Sequence, residues 1–136
     1  MTWVIILMLA ADLSGIKTEP ALEKRSEMAL QYADSAINTA RDAYNQGDFA
    51  KSQQALTEVS EAVDLSYNSL VATGKDPRKH AARFKDAEKA TRQLLRRLES
   101  LRDLMSSVDR VTIDPIASKV ADIHESLLKG IMGKKQ

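Results

Sequence analysis

Residues 84–105 read FKDAEKATRQLLRRLESLRDLM, and their apolar positions recur with the period of an α-helix. Small or apolar side chains follow one another at alternating intervals of three and four residues: Phe84, Ala87, Thr91, Leu94, Leu98, Leu101 and Met105. Positions spaced in this way share one face of a helix. Three heptads of the pattern therefore predict a long amphipathic helix that buries this face in a core.

Working toward the N-terminus, a second periodic stretch is built on alanine. The same spacing of three and four connects five small residues: Ala29, Ala33, Ala36, Ala40 and Ala43. Larger side chains flank this stripe at Leu30, Ile37 and Tyr44. Small side chains allow two helix backbones to approach closely. The spacing leaves open whether the stripe closes the fold internally or pairs two copies of the chain.

Two further stretches complete the helical pattern. One follows the alanine-rich helix: Leu56, Val59, Val63, Ser66 and Leu70. The other precedes the C-terminus: Ile116, Val120, Ile123 and Leu127. No segment shows the strict alternation that is typical of a strand.

Capping and helix-stopping residues divide these stretches into four helices. Glycine ends a helix and a following Asp or Ser begins one. On this basis we predict boundaries at Thr18 to Pro20, Gly47-Asp48, Gly74 with Asp76-Pro77, Ser106 to Asp109, and Asp114-Pro115. Because short connections join antiparallel helices, we expect an all-α fold: an antiparallel bundle of about four helices, arranged as two helical hairpins that run up-down-up-down.

The first residues differ from the rest of the chain. Residues 1–11, MTWVIILMLAA, form an apolar run that is too short to span a bilayer, which takes about 20 residues. Its length is typical of a secretory signal. No Lys or Arg precedes the run, which is compatible with a start upstream of Met1. We predict a signal peptide over residues 1–14 and a single helical domain over 15–136 that ends in a frayed basic segment; the alternatives are an apolar segment packed on the bundle and a retained anchor.

The segment from Ala40 to Leu56 resembles the turn of a tetratricopeptide hairpin. Ala40 stands at the small position of that family's first helix, the turn is formed by Gly47, Asp48 and Phe49, and Leu56 stands at a large apolar position of its second helix. Ala43 occupies the place where the family usually has an aromatic residue. The resemblance covers about residues 37–70 and implies a helical hairpin of similar local design, not a repeat array, which needs about three repeats.

Residues that could support catalysis are few. The chain has no cysteine and two histidines, and His80 lies among Arg78, Lys79 and Arg83. Phosphate loops, nucleophile elbows and paired-histidine zinc helices are absent. We therefore predict a protein that is not an enzyme and has no cofactor. The alternative is a haem- or metal-binding bundle of the cytochrome b562 type, with Met28 on the first helix and His124 on the last as ligands.

Basic side chains are concentrated on the third helix. Lys85, Lys89, Arg92 and Arg96 follow spacings of four, three and four on the side opposite its apolar face. Such a row can contact an anionic partner. The sequence thus favours an exported bundle with a structural or interaction role in the periplasm or outside the cell. Its expected partner is a protein or an anionic envelope component. Contact with a membrane is expected only through an uncleaved leader. Nucleic acid is not expected, because the net charge is +1 and no aromatic residues interleave the arginines. An intracellular interaction domain is the remaining alternative.

Overall fold

The computed structural model describes residues 13–133, which form four long helices and no strand. These are α1 (Leu22–Asn45), α2 (Phe49–Ala72), α3 (Ala81–Leu104) and α4 (Asp114–Met132), with a 3-10 helix at Asp109–Thr112 before α4. Residues 13–17 add a short helical stretch ahead of α1. The all-α prediction is confirmed. Residues 1–12 of the predicted leader and residues 134–136 of the predicted basic end lie outside the described part of the chain.

The four apolar stripes form the core. Each member of the stripe on α3, from Phe84 to Met105, is at most 4% exposed. The stripes of α2 and α4 are buried as well, the most exposed member being Ile116 at 9%. Periodicity therefore identified the inward face of each helix correctly, because burial of apolar surface is the main stabilising term for helices of this length.

The helices α1 and α2 form the most closely packed pair. All five alanines of the α1 stripe are buried, and α2 presents small residues in return, among them Ser52 and Ser66. The Ser52 hydroxyl donates a hydrogen bond of 3.0 Å to the Ala40 carbonyl, and the hydroxyls of Ser26 and Ser66 lie 2.7 Å apart. Backbones must be close for such short side chains to reach across. The alanine stripe thus closes a hairpin within the chain.

The second hairpin lies against the first with α1 and α3 running in the same direction. Residues later in α1 contact residues later in α3. Glu27 forms an ion pair with Arg83 at 3.1 Å, and Asp34 and Asn38, which follow it in α1, accept hydrogen bonds from Arg97. Since each hairpin is antiparallel, α2 and α4 are parallel too. Neighbours around the bundle follow the order α1, α2, α4, α3.

The predicted up-down-up-down order of two hairpins is observed, and the order of the helices around the bundle adds one detail. Antiparallel neighbours occur inside each hairpin, but the pairs between hairpins are parallel, and α2 and α3 stand at opposite corners although they are consecutive. Eight residues, 73–80, connect them and cross the end of the bundle. There Pro77 packs against Gly130 and Arg78 lies against Gly133, both near the end of α4.

Two of the predicted helix starts are wrong and two are confirmed. The helix α4 begins at Asp114, with Pro115 in its first turn, as predicted. Asp48 caps α2 by accepting a hydrogen bond from the Lys51 amide, after a positive φ of 78° at Gly47. Thr18, in contrast, bonds back to the Gly15 carbonyl and ends the short helical stretch before α1. Asp76 caps a single turn, and α3 begins only at Ala81. In both cases the polar side chain makes its hydrogen bond within a turn that precedes the long helix, and not at the first residue of that helix.

A tyrosine joins the two hairpins at the end where their turns lie. The Tyr44 hydroxyl donates to Asp109 at 2.8 Å and accepts from the Ser106 amide at 3.0 Å. At the predicted boundary of Ser106 to Asp109, a capping box would need two hydrogen bonds, one from each backbone amide to the other side chain. The Asp109 amide donates to the Ser106 hydroxyl at 3.3 Å, but the Asp109 carboxylate instead accepts from Tyr44. The Tyr44 hydroxyl therefore accepts the hydrogen bond of the Ser106 amide in place of the Asp109 carboxylate.

Two residues ahead of α1 belong to the buried interior. Leu13 and Ile16 are 9% and 6% exposed, and Leu13 is part of the main core cluster. Arg25 fastens the same stretch, its guanidinium lying 3.4 Å from the Lys17 carbonyl. Across residues 13–133, no helix combines the length and the apolar character that crossing a bilayer would require.

Candidate functional site

Each side of α3 has a distinct role in the fold. One side contacts α4, where Glu88 meets His124 and Arg102 meets Asp114. The opposite side contacts α1 through Arg83 and Arg97. Between these two sides, and opposite the buried stripe, lies the outward surface of the helix. The four basic residues predicted from the sequence stand on that surface.

We call Lys85, Lys89, Arg92 and Arg96 the basic face. All four side chains are exposed. With a rise of about 1.5 Å per residue, their Cα atoms extend over roughly 16 Å along three turns of α3. Since α3 contacts neighbouring helices on both sides, these residues form one exposed row on its outward surface, as their spacing predicts.

Intramolecular neutralisation of the basic face is incomplete. Among the residues that the structure describes, Arg92 alone of the four has a carboxylate partner, Glu88, whose Oε2 lies 3.2 Å from its Nε. Within residues 13–133, no carboxylate lies within 4.0 Å of the cationic groups of Lys85, Lys89 or Arg96. A solvated helix commonly neutralises its cations with acids one turn away. In the described part of the chain, three of the four cations therefore have no ion-pair partner.

Acidic residues limit the basic face at one end. The outward positions that follow Arg96 along α3 are Glu99 and Asp103, both exposed. At the other end the exposed Lys79 precedes the first turn of α3. The basic side chains therefore lie along the N-terminal two-thirds of α3, up to Arg96, and acidic side chains follow them.

An ion pair with a short contact connects α3 to the start of α4. The Arg102 guanidinium donates to the Asp114 carboxylate at 2.6 Å, and this hydrogen bond holds the pKa of Asp114 below its ordinary value and raises the pKa of Arg102. In the connection, the Arg78 amide likewise lowers the pKa of Asp76. Both carboxylates therefore keep their charge further into acid than an ordinary aspartate does.

The two candidate haem ligands stand on helices that make no extended contact. Met28 is half-buried on α1, and His124 lies on α4 at the opposite corner of the bundle. The His124 Nε2 is 2.8 Å from Glu88, so one of its ring nitrogens is already engaged. Among residues 13–133, no group of three or more His, Cys, Asp or Glu side chains is placed to hold a metal ion.

The sequence did not reveal the role of Arg97. It stands at the border of the buried stripe, and the structure shows its guanidinium bonded to the Asp34 carbonyl at 3.0 Å and also to the side chains of Asp34 and Asn38. Because these partners are about 60 residues away, no local pattern could have identified them. Comparison with known proteins adds no further guide: no protein-family model, curated protein or solved structure matches this chain.

Proposed function

We propose that this protein is a non-catalytic helical bundle that binds an anionic partner at the cell envelope through the basic face of α3. The observation that carries the proposal is the set of three exposed cations, Lys85, Lys89 and Arg96, for which the described residues supply no carboxylate. Positive charges aligned on a rigid surface attract and orient an anionic partner. The partner is an acidic protein surface or an anionic envelope component.

The rigidity of α3 supports this function. Ordering a long basic side chain on binding costs conformational entropy, but a backbone that is already fixed costs nothing further. The clamp of Arg97 on α1 and the ion pair of Arg102 with Asp114 hold the helix from both sides. A partner with regularly spaced anionic groups would therefore meet cations whose spacing is set in advance.

Charge reversal tests the binding face. A variant with Lys85, Lys89 and Arg96 all changed to Glu is compared with a control in which Lys24, Lys51 and Lys129 are changed to Glu. Those three lysines are exposed and lie one each on α1, α2 and α4, so both variants lower the net charge equally. Binding is measured with fluorescein-labelled poly-L-glutamate by anisotropy and with phosphatidylglycerol vesicles by sedimentation, each at several salt concentrations.

Binding should depend on the basic face and on the salt concentration. The wild type and the control should bind at least one probe with an affinity that falls as salt rises, and the α3 variant should lose at least tenfold in affinity while keeping its helical circular dichroism. Equal affinities of the α3 variant and the control would refute the role of the basic face. No binding of the wild type to either probe would refute the anionic partner.

Export is tested separately, because it rests on the N-terminal segment alone. The protein is expressed with its natural N-terminus, and its intact mass is measured in envelope, medium and cytoplasmic fractions. A species in the envelope or medium that lacks Trp3 and begins between Asp12 and Ile16 would support export. A full-length cytoplasmic species would contradict it and favour the intracellular interaction domain.

A further inference from the structure

The parallel packing of α1 and α3 leaves a groove between them. Its volume is about 430 Å³, within the range of small-molecule sites. One wall comes from α1 and the other from α3, with Leu70 of α2 at its base. The groove is on the side of α3 that faces α1, so it is distinct from the basic face.

The base of the groove is apolar and its space comes from small side chains. Leu30, Leu94 and Leu70 are at most 9% exposed and line its interior. On the α3 wall, Ala87 and Ala90 stand where longer side chains would fill the gap between the helices. An apolar base beneath an open mouth suits the hydrocarbon part of a ligand.

The walls of the groove carry an excess of negative charge. Four carboxylates line it, from Glu23, Glu27, Asp34 and Asp86, against a single lining guanidinium, from Arg83. Arg83 is committed to the two glutamates at one end of the groove.

Other cations near the groove are also engaged. Lys75 pairs with Glu23 at 3.0 Å, and Arg97 pairs with Asp34. Asp86 differs from the other three carboxylates, because no cation of residues 13–133 lies within ion-pair distance of it. The contacts between α1 and α3 place Asp86 at the level of Glu27 and Gln31. The groove therefore retains one uncompensated carboxylate above an apolar base.

We propose that this groove binds a small amphiphilic cation, an alkylammonium type of ligand. The ammonium group lies near Asp86 and Glu27, and the alkyl chain lies along Leu30, Ala90 and Leu94. Anionic amphiphiles of the same size should bind more weakly, because they would place a negative charge beside the uncompensated carboxylate of Asp86. This site goes beyond the proposed partner binding, which uses the opposite charge on a different surface.

The test compares three probes that share one hydrocarbon chain: n-octylammonium chloride, sodium octyl sulfate and octyl glucoside, each below its micelle concentration. Binding to the full chain is measured by isothermal titration calorimetry. Two variants alter the groove, Ala90→Leu by filling it and Asp86→Asn by removing its free charge. Their matched controls are Ala82→Leu and Asp103→Asn, which alter exposed positions of α3 outside the groove.

The expected result is saturable binding of octylammonium, at least tenfold tighter than binding of the sulfate or the glucoside. Ala90→Leu should weaken it at least tenfold, and Asp86→Asn by about fivefold, the value of one partly exposed ion pair near 1 kcal/mol. Both controls should bind as the wild type does.

Three results would overturn the proposal. They are equal affinity for the three probes, no saturable binding of octylammonium, and unchanged affinity in both groove variants. Should Ala90→Leu unfold the protein, as seen by circular dichroism, Asp86→Asn tests the charge by itself, since its side chain is exposed. Loss of the basic face by charge reversal should leave octylammonium binding intact, which separates this site from the proposed function.

Discussion

Replacing Ala33 with leucine tests how α1 and α2 pack. Ala33 has no exposed surface, and it lies in the middle of the alanine stripe of α1. The change adds three carbon atoms at a position where the two backbones already approach closely. Overpacking of a full core typically costs about 1–3 kcal/mol, and the complete burial of Ala33 between two closely packed helices places this substitution near the upper value.

The size of the effect follows from the size of the domain. A loss of about 3 kcal/mol is a large part of the roughly 5–15 kcal/mol that stabilises a typical domain. For a chain of this length it should lower Tm by roughly 12 °C, at about 4 °C for each kcal/mol. In urea the midpoint should fall by about 1.5 M for a slope near 2 kcal/mol/M.

The assay is urea unfolding followed by circular dichroism, with size-exclusion chromatography of the native protein. Ala121→Leu serves as the control, because Ala121 is exposed in the middle of α4 and leucine is also a good helix former there. It should change the free energy of unfolding by less than about 0.5 kcal/mol. The reasoning is wrong if Ala33→Leu is destabilised by less than 1 kcal/mol. A wild-type dimer that Ala33→Leu converts to an equally stable monomer would show instead that the stripe pairs two copies.

Three further predictions concern the ends of the bundle. Tyr44→Phe removes the hydroxyl that bonds Asp109, and it should cost about 1 kcal/mol in urea unfolding and speed amide exchange in the 3-10 helix before α4. Asp114→Asn should make the free energy of unfolding less sensitive to acid. Arg102 lowers the pKa of Asp114 in the folded protein below the ordinary value of about 3.9. The stabilisation by this pair is therefore present above that value and is lost as pH falls through the lowered pKa. Urea midpoints measured from pH 5 to pH 2 would contradict this if the wild type and the variant changed in parallel. A chain that lacks the predicted leader also lacks Leu13, which is buried. It should be roughly 1.5–3 kcal/mol less stable than the full chain. Equal urea midpoints of the two chains would show that Leu13 contributes nothing.

The candidate site was partly predictable. The outward position of Lys85, Lys89, Arg92 and Arg96 follows from the buried stripe on the other side of α3, because a helix has one period and a fixed angle per residue. Whether a carboxylate neutralises them does not follow from that period. The pairing of Arg92 with Glu88, one turn away, is local, but the lack of partners for the other three depends on where α1 and α4 stand.

The fold, like the candidate site, could be predicted from the sequence only in part. The sequence by itself determined the four helices, their buried faces and the turn at Gly47-Asp48, because these depend on residues within one or two helical turns. Only the tertiary structure decided which helices are neighbours. Adjacent helix axes lie about 10 Å apart and diagonal axes about 14 Å apart, and the eight residues of 73–80 can span about 26 Å. That connection permits either arrangement, so the choice rests on how the stripes fill one core and on long-range pairs such as that of Arg97 with Asp34, which no local pattern of residues contains.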